Sequence, residues 1–154
     1  MDNPMQVPRP PTRTVDCEPE AVFASTHLFH VRNKKKPGNF IHAEITSHGF
    51  FKYHVENMPK GKRGCPGKWL FEIAWDHFQQ CGAIVTGIRG DWTFGDNLDV
   101  INRLTVSKKM AVEVACRHTW AYDRARSKGF TSVMVIDVDG NPGNYNAVDV
   151  LFLP

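Results

Sequence analysis

Cysteine and long apolar runs are both scarce in this chain of 154 residues. None of its four cysteines forms a CxxC pair, so neither a zinc ribbon nor a thioredoxin-like redox motif is indicated. The longest apolar runs, such as residues 133–136, are far shorter than the roughly 20 residues of a membrane-spanning helix. The N-terminus lacks the apolar core of a secretory signal peptide. We therefore expect no membrane span, no signal peptide and four free thiols in a reducing compartment.

Proline is concentrated at one end of the chain. Five of the ten prolines lie in residues 1–19, which contain almost no large apolar residue. We expect this stretch to be a disordered leader that tethers the protein to a larger carrier chain. Residues 20–154 are too few for two ordinary domains and predict a single compact domain.

Hydrophobic periodicity predicts an α+β fold, with a mostly antiparallel sheet and helices packed on one side. The predicted order is β-β-β-α-β-α-α-β-β. Asp96 is predicted to cap the second helix, and Gly82 to end the first. Predicted strands cover residues 23–31, 40–46, 51–56, 83–88, 132–138 and 147–153, and predicted helices cover residues 68–81, 97–104 and 108–128.

The second and third strands are predicted to form a hairpin with one polar face. Residues 47–49 suit a three-residue loop with Gly49 in the left-handed conformation. This loop length opposes four polar side chains in two pairs, His42 with His54 and Glu44 with Lys52. The histidines supply an acid and a base, Lys52 a positive charge, and Glu44 orients a histidine, as metal-independent phosphodiester cleavage requires.

Other interpretations of the hairpin remain open. Its polar face could simply meet water, with a weak ion pair between Glu44 and Lys52. A two-residue loop would instead change which residues oppose each other. The triplet 42–44 also matches the HxE half of a zinc deaminase motif, but the PCxxC half is missing, because the cysteine after Cys65 is Cys81. No metal site is predicted.

The remaining histidines have weaker assignments. His27 and His30 lie on opposite faces of the predicted first strand, so at most one of them joins a site. His77 lies on an amphipathic helix and is predicted to be structural. His118 follows Val114 by one helical turn and is predicted to lie beside the inner stripe of the long helix.

The segment 90–98 combines two glycines, two aromatics and two acids and is predicted to form a loop leading into a helix. Such loops often serve functional sites. The helix N-terminal amides near Asn97 could hold an anion, whereas Asp96 as a cap would occupy them and repel it. A second-choice site is composed of Tyr53, Asp96, Asn97 and His118.

Positive charge is bunched, although the net charge is only +3. Clusters of this kind bind phosphate backbones. Both clusters lie beside glycine and proline, so solvated loops are the alternative. The predicted nucleic-acid-binding residues are Arg32, Lys34, Lys35, Lys36, Lys60, Lys62 and Arg63.

Short motifs are spread over the second half of the chain. They are Gly87-Ile88-Arg89-Gly90-Asp91-Trp92, Gly95-Asp96-Asn97-Leu98, Asn102, Thr119-Trp120, Gly129-Phe130 and Val148-Asp149-Val150-Leu151-Phe152. Together they resemble the C-terminal toxin domains of bacterial polymorphic toxins of the Rhs and contact-dependent-inhibition kind. The resemblance implies an enzyme delivered into the cytoplasm of a competing bacterium and an immunity protein that blocks it in the producer. We expect RNA as the target and an acidic immunity protein on the basic face.

Two other functions stay open. Toxin domains of this size include ADP-ribosyltransferases, for which NAD would be the substrate. His30 or His42 and Tyr53 would fill two roles in that chemistry. No glutamate follows Glu113 to fill the third, which leaves Asp137, Asp139 or Asp149 as imperfect substitutes. A non-catalytic module that binds an acidic partner through the basic loops is the other alternative. RNA cleavage, which needs no cofactor here, is preferred because its residues are predicted side by side.

Overall fold

The computed structural model describes residues 7–8, 15–57 and 63–154. The chain divides into two compact units, Met1–Val85 and Thr86–Pro154, a division inside the range predicted as one domain. The described residues hold seven strands and four helices, and the strands within each unit pair antiparallel. The predicted α+β class is therefore confirmed. No helix among these residues is long and apolar enough to cross a membrane.

The first unit is a four-stranded sheet with one helix against it. Strands adjacent in sequence are adjacent in the sheet. The helix lies against the last three strands. The elements are β1 (Pro19–Ala24), β2 (Leu28–Asn33), β3 (Phe40–Ile45), β4 (Phe50–Glu56) and α1 (Gly67–Gln80).

A turn interrupts the single strand predicted over residues 23–31, so that prediction is wrong. Ser25 Oγ accepts from the backbone N–H of His27 at 3.2 Å and of Leu28 at 3.0 Å. The Ser25 N–H donates to the Leu28 carbonyl at 2.7 Å. The Ser25 side chain thus gives the backbone N–H groups of the turn a hydrogen-bond partner. The strands β1 and β2 are therefore two arms of a hairpin.

The predicted hairpin of β3 and β4 is confirmed in register and in loop length. Thr46 pairs with Phe50 across residues 47–49 through a 2.9 Å hydrogen bond from the Thr46 N–H to the Phe50 carbonyl. Gly49 has φ of 81°, the left-handed conformation that glycine adopts without a steric penalty.

The core of the first unit lies between α1 and one face of its sheet. Alternate residues of the strands are buried there, among them Phe29, Val31, Ile41 and Phe51. The helix contributes Leu70, Ala74 and Phe78, as its 3.6-residue period predicted, and it ends before Gly82, whose φ is 78°. Truncating a fully buried ring such as that of Phe51 to alanine costs about 3–5 kcal/mol of folding free energy.

Residues 15–18 fall inside the predicted leader but are tied to the first unit. Cys17 forms a disulfide with Cys65 across 48 positions of sequence, with Cα atoms 4.7 Å apart. Asp16 Oδ2 accepts from Arg63 Nε at 3.1 Å and from Nη2 at 2.7 Å. The expectation of four free thiols is therefore wrong for this pair, since a contact so distant in sequence leaves no local signal. The free cysteines are Cys81 and Cys116.

Two fully buried asparagines anchor the same region. Asn39 Nδ2 donates to the carbonyls of Glu56 at 3.1 Å and Cys65 at 3.0 Å. Its Oδ1 accepts from Asn33 Nδ2 at 3.2 Å and from the Cys65 N–H at 2.5 Å. The two amides thereby satisfy backbone groups that would otherwise be buried without partners. They join the turn after β2 to the chain that enters α1.

The second unit has a three-stranded sheet in the order β5 (Gly87–Trp92), β7 (Ala147–Leu153), β6 (Ser132–Asp139). The last two strands are confirmed, but the strand predicted over residues 83–88 begins later, and residues 90–92 are strand rather than loop. Gly90 is accommodated there because the Trp92 indole covers it: an added Cβ would lie 2.5 Å from Trp92 Cζ2.

The helices of the second unit are α2 (Asp96–Ser107), α3 (Val112–Cys116) and α4 (Trp120–Ser127). The single helix predicted over residues 108–128 is wrong, because Thr119 starts a new helix. Its Oγ1 accepts from the Tyr122 N–H at 3.1 Å and donates to the Cys116 carbonyl at 2.7 Å. The predicted cap of α2 is also wrong, since Gly95 is the N-cap and Asp96 is the first helical residue.

Candidate functional site

The sheet face of the first unit that lies opposite α1, here called the outer face, carries three histidines in one line. His30 on β2 is the Cα partner of His42 on β3, and His42 is the partner of His54 on β4. Glu44 opposes Lys52 one step along the same face. The predicted pairs are thus brought together, and His30 joins them. We call His30, His42 and His54 the histidine row.

Two members of the row are hydrogen-bonded to each other. The Nδ1 atoms of His30 and His42 are 3.1 Å apart. Burial lowers the pKa of His30 below its ordinary value of 6.5, and the neighbouring His42 and Arg32 lower it further. A neutral His30 ring is therefore favoured in the folded chain.

This pairing dictates where the ring protons lie. One Nδ1 must carry the proton of the hydrogen bond and the other must offer its lone pair. When both rings are neutral, the donor ring has an unprotonated Nε2 and the acceptor ring has a protonated one. In that neutral state the pair contains one nitrogen that can act as a base and one that can donate a hydrogen bond.

The third histidine is held by a carboxylate. His54 Nε2 lies 2.9 Å from Glu56 Oε1. Glu56 was not among the residues predicted from sequence, although it follows His54 by two positions in a strand and so shares its face. That alternation is the signal that would have found it.

Phe40 connects the rings of the row. Its ring stacks on His30 with centroids 5.3 Å apart and planes 17° apart. The His54 ring lies 5.6 Å away on a tilt of 55°. These contacts restrict both imidazoles, so the row is a packed set of rings and not three independent surface side chains.

The predicted basic residues lie at two places. Arg32 is on the outer face, where its Nε contacts Glu20 Oε1 at 2.7 Å. Arg63 pairs with Asp16 and lowers the pKa of that carboxyl. Lys34, Lys35 and Lys36 are exposed in the turn after β2, and Lys60 and Lys62 lie outside the described residues.

The residues of the second-choice site fall outside the histidine row, at positions where they serve the fold. Tyr53 lies on the α1 side of the sheet, 5.1 Å from the Phe71 ring, opposite the histidine row. Asn97 Oδ1 accepts from the Ala121 N–H at 3.2 Å and so joins α2 to α4. Asp96 opens α2, and His118 is exposed in the turn between α3 and α4 and not on a helix.

His77 makes the contacts expected of a structural histidine. Its Nε2 lies 2.7 Å from the Ser25 carbonyl oxygen, to which it donates. Its ring stacks on Phe29 with centroids 4.4 Å apart. These contacts hold α1 to the turn between β1 and β2.

Three aspartates form a second line that was not predicted, on the sheet of the second unit. Asp149 on β7 is the Cα partner of Asp91 on β5 and of Asp137 on β6. Arg89 forms a two-pronged ion pair with Asp149, at 3.1 and 2.6 Å, which offsets part of their repulsion. Across the described residues, no group of three or more His, Cys, Asp or Glu side chains is arranged to hold a metal ion.

Neither protein-family models, nor curated proteins, nor solved structures give a match to this chain. The resemblance to polymorphic-toxin domains therefore stays a prediction.

Proposed function

We propose that this protein cleaves RNA at the histidine row by acid–base chemistry that uses no metal. The observation that carries the proposal is the hydrogen-bonded pair of His30 and His42 lying directly beside His54. It supports the proposal because three imidazole rings, the groups that serve most often as acids and bases near neutral pH, lie on neighbouring strands about 4.8 Å apart.

In this mechanism His42 is the base. His42 donates from Nδ1 to His30, which leaves its Nε2 unprotonated and able to remove the proton of a ribose 2′-hydroxyl. The 2′-oxygen bonds to the adjacent phosphorus, and the bond from phosphorus to the 5′-oxygen breaks. His54 gives a proton to that leaving oxygen. The products are a 2′,3′-cyclic phosphate and a 5′-hydroxyl.

Two neighbours support these steps. Lys52, diagonal to His42 on the outer face, is the cation that stabilises negative charge on the phosphorane oxygens. Glu56 holds the His54 ring through the 2.9 Å contact. Strand alternation puts both groups on the outer face beside the histidine row.

His42→Ala and His54→Ala should each lower the rate of RNA cleavage by about 10²-fold or more, because general acid–base catalysis contributes that much per group. Cleavage of a labelled single-stranded RNA would be measured, and the product ends identified by mass. His27→Ala is the matched control, since His27 is an exposed turn residue outside the row. It should leave the rate unchanged.

Full activity in both row variants, or products with 5′-phosphate ends, would rule out this mechanism. Release of nicotinamide from NAD would instead favour an ADP-ribosyltransferase. The geometry disfavours that function, because Tyr53 lies on the opposite sheet face from His30 and His42.

The biological setting is proposed from the toxin resemblance. A carrier chain would deliver the enzyme into the cytoplasm of a target bacterium, and an acidic immunity protein would cover Arg32 and the lysines after β2 in the producer. Expression of the chain alone in the bacterial cytoplasm should then arrest growth, and His42→Ala should relieve the arrest. Growth arrest of equal strength by that variant would show that toxicity does not depend on the histidine row.

A further inference from the structure

A one-residue bulge in β1 turns Phe23 onto the same face as the histidine row. Ala21 is the Cα partner of Val31, whose side chain is buried, so regular alternation would put Phe23 on the buried face as well. The register shifts between Ala21 and Phe23, and Phe23 becomes the partner of His30 instead. The bulge therefore directs this ring outward.

The exposed ring is not explained by the fold. Phe23 is 48% exposed, and Val22 beside it in the bulge is 46% exposed. A bulge protects an edge strand from unwanted pairing whatever side chain it carries, and charged residues serve that purpose better. An open aromatic ring beside polar groups is instead typical of surfaces on which unpaired nucleobases stack.

The position of the ring fits a nucleotide next to the cleaved phosphate. Phe23, His30 and His42 lie on three successive strands, which are about 4.8 Å apart. A nucleobase stacked on Phe23 thus lies within about 10 Å of His42, the proposed proton acceptor.

The charges of the outer face favour single strands over duplexes. Arg32 and Lys52 share this face with Glu20, Glu44 and Glu56. A surface with this mixture lacks the dense positive charge that holds a duplex by its phosphates. Stacking must then contribute much of the affinity, and only unpaired bases offer their faces to a protein ring.

We propose that Phe23 is a base-stacking residue that makes single-stranded RNA, and not duplex RNA, the substrate of the histidine row. This inference rests on the proposed cleavage function for its biological meaning. Its binding test does not depend on cleavage.

The test uses a fluorescent single-stranded oligodeoxynucleotide of about 12 nucleotides, whose missing 2′-hydroxyl prevents the proposed cleavage. Its dissociation constant would be measured by anisotropy, beside that of the same sequence in a duplex. We expect tighter binding of the single strand, and about tenfold weaker binding after Phe23→Leu. Leucine keeps an apolar side chain but lacks the aromatic face, while Phe23→Trp should keep the affinity.

Phe94→Ala is the matched control, because Phe94 is an exposed phenylalanine of the second unit, at 64%. It should bind as the unsubstituted chain does. Thermal unfolding would confirm that each variant folds. Unchanged affinity in folded Phe23→Leu, or a preference for the duplex, would overturn the inference. The protein could also bind the oligonucleotide through Phe23 and yet cleave no RNA. That result would support the stacking site and overturn only the cleavage function.

Discussion

His30 lies at the centre of the outer face, hydrogen-bonded to His42 and stacked on Phe40. These contacts link the protonation state of His30 to the stability of the fold. Partial burial disfavours the charged ring, and the cation Arg32 acts in the same direction. Other charges on this face come from Glu20, Glu44, Lys52 and Glu56.

The stability of the folded chain should depend on pH through His30. Because the pKa of His30 is lower in the folded chain than its ordinary 6.5, the unfolded chain binds the proton more readily. The stability due to neutral His30 is complete above pH 6.5 and is lost as pH falls through the lowered pKa. His30→Asn keeps a hydrogen-bonding amide near the Nδ1 position but does not titrate, so it should lose less stability on acidification.

Urea unfolding at about pH 7.5 and about pH 5 would measure this difference in the free energy of unfolding. His27→Asn, in the exposed turn, should behave as the unsubstituted chain does. An equal loss of stability on acidification with and without His30 would show that this ring does not cause the pH dependence.

Among the elements, the segment of residues 15–18 shows how a stretch without a core of its own becomes ordered. Its attachments are the disulfide of Cys17 with Cys65, the ion pair of Asp16 with Arg63, and the buried Asn33. Of these, the ion pair of Asp16 with Arg63 is exposed and screened by water, so it contributes little to stability. The disulfide therefore dominates the attachment.

Removing this disulfide should lower the free energy of unfolding by roughly 2–4 kcal/mol, since it closes a loop of 48 positions in the unfolded chain. The double variant Cys17→Ser with Cys65→Ser would be compared with the unsubstituted chain by urea unfolding, each with and without reductant. Reductant should destabilise only the unsubstituted chain. A reductant effect of the same size in the double variant would point to another cause.

The net charge of the whole molecule, +3, does not show how its charges are distributed over the surface. The exposed Lys34, Lys35 and Lys36 lie just beyond the outer face, at the end of β2. In the proposed complex they meet the phosphates of a strand whose bases stack beside the histidine row. Affinity for nucleic acid should accordingly depend on salt.

Changing these three lysines to glutamine should weaken the binding of the single-stranded oligodeoxynucleotide. It should also reduce the slope of log K against log salt by about 2, at roughly 0.7 for each phosphate that a lysine no longer neutralises. Lys108→Gln with Lys109→Gln, two exposed lysines of the second unit, is the matched control and should leave the slope unchanged. An unaltered slope in the triple variant would exclude these lysines from the interface.

Local patterns were enough to predict several parts of this protein. The period of two in β3 and β4, with the glycine at position 49, determined the register that opposes His42 with His54. The 3.6-residue period determined α1, and the two last strands were equally clear. In each case the interacting residues lie within a few positions of one another, so the sequence carries the signal directly.

Contacts between residues distant in sequence were decided only by the tertiary structure. Pairing of β2 with β3 places His30 beside His42, and the β1 bulge turns Phe23 outward, although alternation alone would have buried it. The disulfide of Cys17 with Cys65 likewise joins two segments that share no local pattern. In β3 and β4 the sequence by itself determined which residues share a strand face. The face of Phe23 and the neighbours across the other strands depended on register and packing, which no short window of sequence contains.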